Sequence, residues 1–122
     1  MDIKSYRDLR VWQAAMDLVV MIYEVTEKFP VKEVYGLTSQ IRRAAVSVPS
    51  NIAEGHTRES TKEYLQHLSI AQASLAEVET QIEIAFRLKY CNQEELNKIL
   101  THCTSLGKQL YSLRNALQSR TR

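Results

Sequence analysis

The chain is poor in the residues that turn or stiffen a backbone. Its 122 residues include three glycines and two prolines, too few turn formers for a sheet protein. With abundant Leu, Ala, Glu, Gln and Lys, this composition points to helices joined by short turns. Cysteine is scarce as well. Cys91 and Cys103 make no Cys-x-x-Cys unit, and a domain of this size needs no disulfide framework, so both are expected as reduced thiols in a cytosol. No run of about 18 apolar residues suggests a membrane span. The start, Met1-Asp2-Ile3-Lys4-Ser5-Tyr6-Arg7, lacks the apolar stretch of a secretory signal, and a cytoplasmic protein is expected. Charge of one sign is also lacking. Sixteen basic residues face fourteen acidic ones for a formal net charge of +2, which is compatible with RNA without demanding a polyanion.

What is present is helical periodicity, enough for one domain over residues 1–122. A weak capping box, Ser5 with Asp8, opens a first helix expected over Tyr6 to Lys28, with Phe29-Pro30 ending it. This helix has two apolar rows. Leu9, Trp12, Met16, Val19 and Tyr23 form one, and Val11, Ala15, Leu18, Ile22 and Val25 the other. One row can face a bundle core, which leaves the other for a further subunit. The second helix is expected from about Lys32 or Glu33 to Gly55, with Gly55 as its left-handed closing residue and Pro49 kinking or breaking it.

Ser60 and Glu63 make a capping box for a third helix expected to reach Tyr90 or Cys91. Its seam, Tyr64, Leu68, Ala71, Leu75, Val78, Ile82 and Ala85, has heptad spacing. Asn92 with Glu95 opens a fourth helix along Leu96, Ile99, Cys103, Leu106, Leu110, Leu113 and Leu117. Gly107 beside that row is expected to admit a close backbone neighbour, and Ser119 to Arg122 to fray. Short turns between four amphipathic helices give an all-α, antiparallel up-down-up-down four-helix bundle with a proline-interrupted second helix.

Leu9-Arg10-Val11-Trp12, Phe29-Pro30, Tyr35-Gly36-Leu37-Thr38-Ser39-Gln40-Ile41-Arg42-Arg43-Ala44-Ala45 and Val48-Pro49-Ser50-Asn51-Ile52-Ala53-Glu54-Gly55 follow in order. In these segments, and again at Ile70-Ala71-Gln72-Ala73-Ser74-Leu75-Ala76-Glu77, the chain resembles the four-helix-bundle S23 family, proteins encoded in intervening sequences of bacterial 23S ribosomal RNA genes. Ala73 stands where many relatives have glycine. The resemblance spans nearly the whole chain and implies a homo-oligomer, a ring of five bundles. It also implies kinship with accessory proteins of diversity-generating retroelements, which assist a reverse transcriptase and bind nucleic acid.

A polar row, Gln40, Arg43, Ser47, Asn51 and Glu54, runs beside the apolar row of the second helix, with Ser74, Glu77 and Gln81 sharing a face of the third. It is readable as a ligand or RNA surface, or as a network between helices or subunits with Arg43 coupled to Glu77. Candidates for phosphate contact are Arg42, Arg43, Arg58, Lys62, Lys108, Arg114, Arg120 and Arg122. Scattered bases of this kind also describe an ordinary solvated face. Trp12 and most tyrosines are assigned to packing.

Enzymatic readings lack their residues. Glu63 and His67 share a face, but the paired Glu-x-x-His helices of a di-iron bundle are missing. His56 and His102 have no ligand-spaced companions, and there is no Gly-rich phosphate loop. The expectation is a non-enzymatic scaffold or accessory factor in a nucleoprotein setting, without metal or cofactor. It would assemble with itself and contact the RNA backbone. The alternative is a protein-protein adaptor, such as a reverse-transcriptase partner, without direct RNA contact.

Overall fold

A computed structural model of the chain describes residues 3–120. Four long helices form the molecule: α1 (Arg10–Thr26), α2 (Leu37–Thr57), α3 (Thr61–Arg87) and α4 (Gln93–Arg120). No strand occurs among the described residues. The helix α1 packs on α2 and α4, and α3 packs on the same two. Along the α2–α3 boundary Gln40 meets Gln81, Ser47 meets Ser74 and Asn51 meets His67, so the two helices run in opposite senses. The architecture is the expected all-helical bundle, with consecutive helices as neighbours.

Its interior is built from the predicted seams. Val11, Ala15, Leu18, Ile22 and Val25 are buried, which assigns the second apolar row of α1 to the core. Every member of the α3 seam except Tyr64 is buried, and every member of the α4 seam except Leu113. Removing a Val, Leu or Ile side chain from water stabilises by about 1.5–3 kcal/mol, whereas helix propensities differ by under about 1 kcal/mol for ordinary residues. The spacing of apolar residues therefore decides where the helices lie.

Several boundaries depart from the sequence expectation. The first helix is divided: the Ser5–Asp8 capping box closes only a 3-10 turn at Tyr6–Asp8, and Leu9 is extended before α1 begins. A second 3-10 turn, Val31–Glu33, precedes α2. The residue capping α2 is Gly36, which has no side chain to accept from the first turn. Glu33 supplies that acceptor, its Oε1 taking the Leu37 N–H at 3.1 Å. A Cβ on Gly36 would lie 2.7 Å from this same oxygen, so the glycine makes room for the reaching carboxylate.

Pro49 does not break α2, which continues from Leu37 to Thr57. Losing one backbone donor in a helix interior costs about 3 kcal/mol. Here Pro49 is itself buried between Val48 and Ile52, both with 0% exposure, and their burial offsets that loss. Gly55 is not the left-handed cap either. It is buried within α2, and no described glycine has positive φ. A Cβ there would lie 2.8 Å from His67 Cβ and 2.9 Å from Tyr64 Cδ1, so Gly55 sets how closely α2 and α3 cross.

The left-handed residue is Lys89, at φ 67°, after α3 stops at Arg87. Gly107 has an ordinary environment: an added Cβ would meet only Leu75 Cδ2, at 3.6 Å. The end of α4 is helical through Arg120, and the rest of the segment expected to fray lies outside the described residues.

Candidate functional site

The centre of the polar row becomes a clasp between α2 and α3. Ser74 Oγ donates to Ser47 Oγ at 2.8 Å. Asn51 Nδ2 donates to Ser47 Oγ at 3.0 Å and to the Ser47 carbonyl at 2.9 Å. Because the Asn51 amino group faces Ser47, its Oδ1 must accept from His67 Nδ1, 3.0 Å away. His67 thus joins a network that sequence reading had confined to the serines and amides. Its position one helical repeat before Ser74 on the same face was the available signal.

The outer parts of the row behave differently. Gln40 and Gln81 meet only at 3.5 Å. Arg43, Glu54 and Glu77 are exposed, and Arg43 and Glu77 form no ion pair with each other or with any other described residue. The coupling expected between them is absent within the subunit. Ser47, Asn51, His67 and Ser74 satisfy one another across the helices, whereas these two charges face solvent.

The basic candidates are divided in the same way. Arg42 is committed to α1: its Nε donates to Thr26 Oγ1 at 2.7 Å, its guanidinium lies 4.4 Å from the Tyr23 ring centroid, and Glu27 stands 3.9 Å away. Arg114 braces α4 against α3 through Gln72 Oε1 and is partly buried. Arg58, Lys62, Lys108 and Arg120 are exposed, whereas Arg122 lies outside the described residues.

Antiparallel order gathers charge that the linear chain disperses. The starts of α1 and α3 and the finishes of α2 and α4 share one end of the bundle. There Lys4, Arg7, Arg10, Arg58, Lys62, Lys108, Arg114 and Arg120 outnumber Asp8, Asp17, Glu54, Glu59 and Glu63. Asp8 is also engaged, accepting from the backbone N–H groups of Lys4 and Ser5. At the opposite end Lys28 pairs with Glu95 and Arg87 with Glu83, and Glu24, Glu33 and Glu94 balance the remaining lysines. Sequence reading missed Lys4, Arg7 and Arg10. Summing charge by bundle end rather than along the chain would have found them. Arg7 lies over both Tyr6 and Trp12, at 5.7 and 5.5 Å from their ring centroids, so aromatic surface adjoins this basic end.

The first apolar row of α1 remains open to solvent in part. Met16 and Tyr23 are exposed and Leu9, Trp12 and Val19 half-buried, and Val20, outside the row, is 55% exposed. A groove of about 460 Å³ runs between α1 and α2 beside this row, lined by Tyr23, Val34, Thr38, Ser39, Arg42, Arg43 and Val46.

The histidines serve packing contacts. His102 Nε2 donates to the Ala14 carbonyl at 2.7 Å, tying α4 to α1, and His56 meets the Tyr64 ring edge-on at 5.8 Å. No group of three or more His, Cys, Asp and Glu side chains is placed to hold a metal ion among the described residues. Cys91 and Cys103 are buried free thiols. Burial, reinforced by Glu79, pushes the Cys103 thiol up to about 12. None of the described helices is long and apolar enough to cross a membrane.

Residues 7–112 match the family described as 23S rRNA-intervening sequence protein. The crystal structure of a protein of unknown function from the S23 ribosomal protein family of Bacteroides thetaiotaomicron is similar at a TM-score of 0.77 and 27% sequence identity. That similarity covers 86% of this chain and 95% of the other. No curated protein matches the chain.

Proposed function

This chain belongs to the 23S rRNA-intervening sequence protein family, and on that footing we propose that it is a non-enzymatic, self-assembling bundle that serves as an accessory factor or scaffold in a nucleoprotein setting. The basic end, where Arg58, Lys62, Lys108 and Arg120 join Lys4, Arg7 and Arg10, carries this reading. Phosphate contacts from such side chains give sequence-independent, salt-dependent affinity. Self-assembly is supported by the exposed apolar row of α1, and the family resemblance favours a ring of five.

Light scattering on the purified chain and binding titrations with unrelated RNAs at several salt concentrations test the proposal together. An oligomer is expected that binds different RNAs with similar affinity and releases them steeply as salt rises. A stable monomer at micromolar concentration overturns self-assembly. Absence of RNA binding at low salt turns the reading toward a protein-protein adaptor such as a reverse-transcriptase partner.

A further inference from the structure

We propose that the groove between α1 and α2 seats the outer face of α3 from a second copy of this chain, with Arg43 paired to Glu77 of the partner subunit. This inference rests on the self-assembly proposed above and specifies its boundary. The groove presents an arginine among apolar side chains: Tyr23, Val34 and Val46 line it with Arg43 and are all exposed. Arg42 lines it too, but Thr26, Tyr23 and Glu27 engage its guanidinium. Arg43 is therefore the uncommitted cation of the groove.

The face of α3 has the matching pattern. Ile70, Glu77 and Ile84 recur at seven-residue spacing, the isoleucines 50% and 43% exposed and Glu77 without an ion-pair partner among the described residues. Seven residues are nearly two helical turns, so the three side chains share one side of α3 over about 21 Å. An acid between two isoleucines fits an arginine ringed by apolar groups. Joining the surfaces covers apolar area on both and supplies each isolated charge with its opposite. The contact joins unlike surfaces, groove to α3 face, so it is head-to-tail, and a copy can turn its groove and its α3 face toward two different neighbours, as a ring or chain requires.

Charge reversal on the full chain, read by size-exclusion chromatography with light scattering, tests the boundary. Circular dichroism confirms that each variant retains its helices. Arg43→Glu and Glu77→Arg are each expected to raise the subunit dissociation constant at least tenfold, and the double variant to restore assembly. Mixing the two single variants is expected to restore assembly in part, because every boundary between unlike copies then pairs opposite charges, while a ring of five leaves one boundary between like copies. A wild-type monomer defeats the self-assembly reading itself. A wild-type oligomer indifferent to both single reversals defeats only this boundary. Rescue by the double variant with no recovery at all on mixing places the pair within one subunit and overturns the proposal.

Discussion

Lys89 occupies a backbone conformation that strains any residue with a Cβ, at φ 67°. It sits there because the α3 terminus is tied off by two hydrogen bonds: Tyr90 N–H to the Ala85 carbonyl at 2.8 Å and Lys89 N–H to the Phe86 carbonyl at 2.9 Å. Lys89→Gly should raise stability by about 1 kcal/mol, seen as a melting temperature roughly 4 °C higher. Gly55→Ala should move the other way. The new methyl would gain helix propensity of about 1 kcal/mol but collide with His67 and Tyr64, and overpacking of this kind costs about 1–3 kcal/mol. Thermal melts of both variants check the signs. These two positions also show what sequence could not resolve: a glycine that closes a helix and one that lets helices cross both answer a demand for no Cβ, and only the fold tells them apart. Cys103 was legible as a seam residue, but the height of its pKa was not, because this depends on burial in the packed bundle and on Glu79 of another helix. Thiol reagents should modify it only as fast as the native protein opens, and denaturant should accelerate the reaction sharply.

At the scale of elements, the heptad seams of α3 and α4 were legible because each position repeats the same demand for burial. The Asn92–Glu95 box was legible too, and both of its hydrogen bonds form, at 2.8 and 2.9 Å. The start of α2 was not. Its cap comes from Glu33, whose other carboxylate oxygen accepts from Tyr90 OH at 2.8 Å, so the α1–α2 connection depends on the far end of α3. The Leu37 N–H, followed by the Tyr90 hydroxyl, holds the Glu33 carboxyl below its ordinary value, and the bond to Glu33 pushes the Tyr90 hydroxyl up. The depressed carboxyl contributes stability that is present above its unfolded value near 4.5 and is lost as pH falls through the folded one. The raised phenol contributes stability present below about 10 and lost as pH rises through its folded value. Unfolding titrations should therefore show Glu33→Gln flattening the acid limb and Tyr90→Phe the alkaline one. The α2–α3 clasp is open to a double-mutant cycle. Ser47→Ala strands the Ser74 hydroxyl and part of the Asn51 amide, a loss of about 1–3 kcal/mol, and coupling with Ser74→Ala of about 0.5–1.5 kcal/mol is expected.

For the whole molecule, the fold redistributes charge that looks balanced along the chain. The sequence shows +2 overall, whereas antiparallel packing collects Arg7, Arg58, Lys62 and Arg120 at one end and pairs acids with bases at the other. Reversal at the basic end, Arg58→Glu, should weaken binding to different RNAs alike and lower the salt slope by about 1, whereas Lys98→Glu at the opposite end should change neither. The proposed boundary adds a consequence that simple electrostatics does not give. Glu77→Arg makes every subunit more positive, so an isolated bundle carrying it should bind RNA more tightly. If head-to-tail assembly sets several basic ends along one RNA, the same substitution breaks the assembly and forfeits avidity, which multiplies affinity by about 10²–10⁴ when the sites can be engaged together. A net loss of at least tenfold is expected in RNA titrations of Glu77→Arg, reversed when Arg43→Glu is added. Tighter binding by a dissociated Glu77→Arg subunit would show instead that each basic end acts alone.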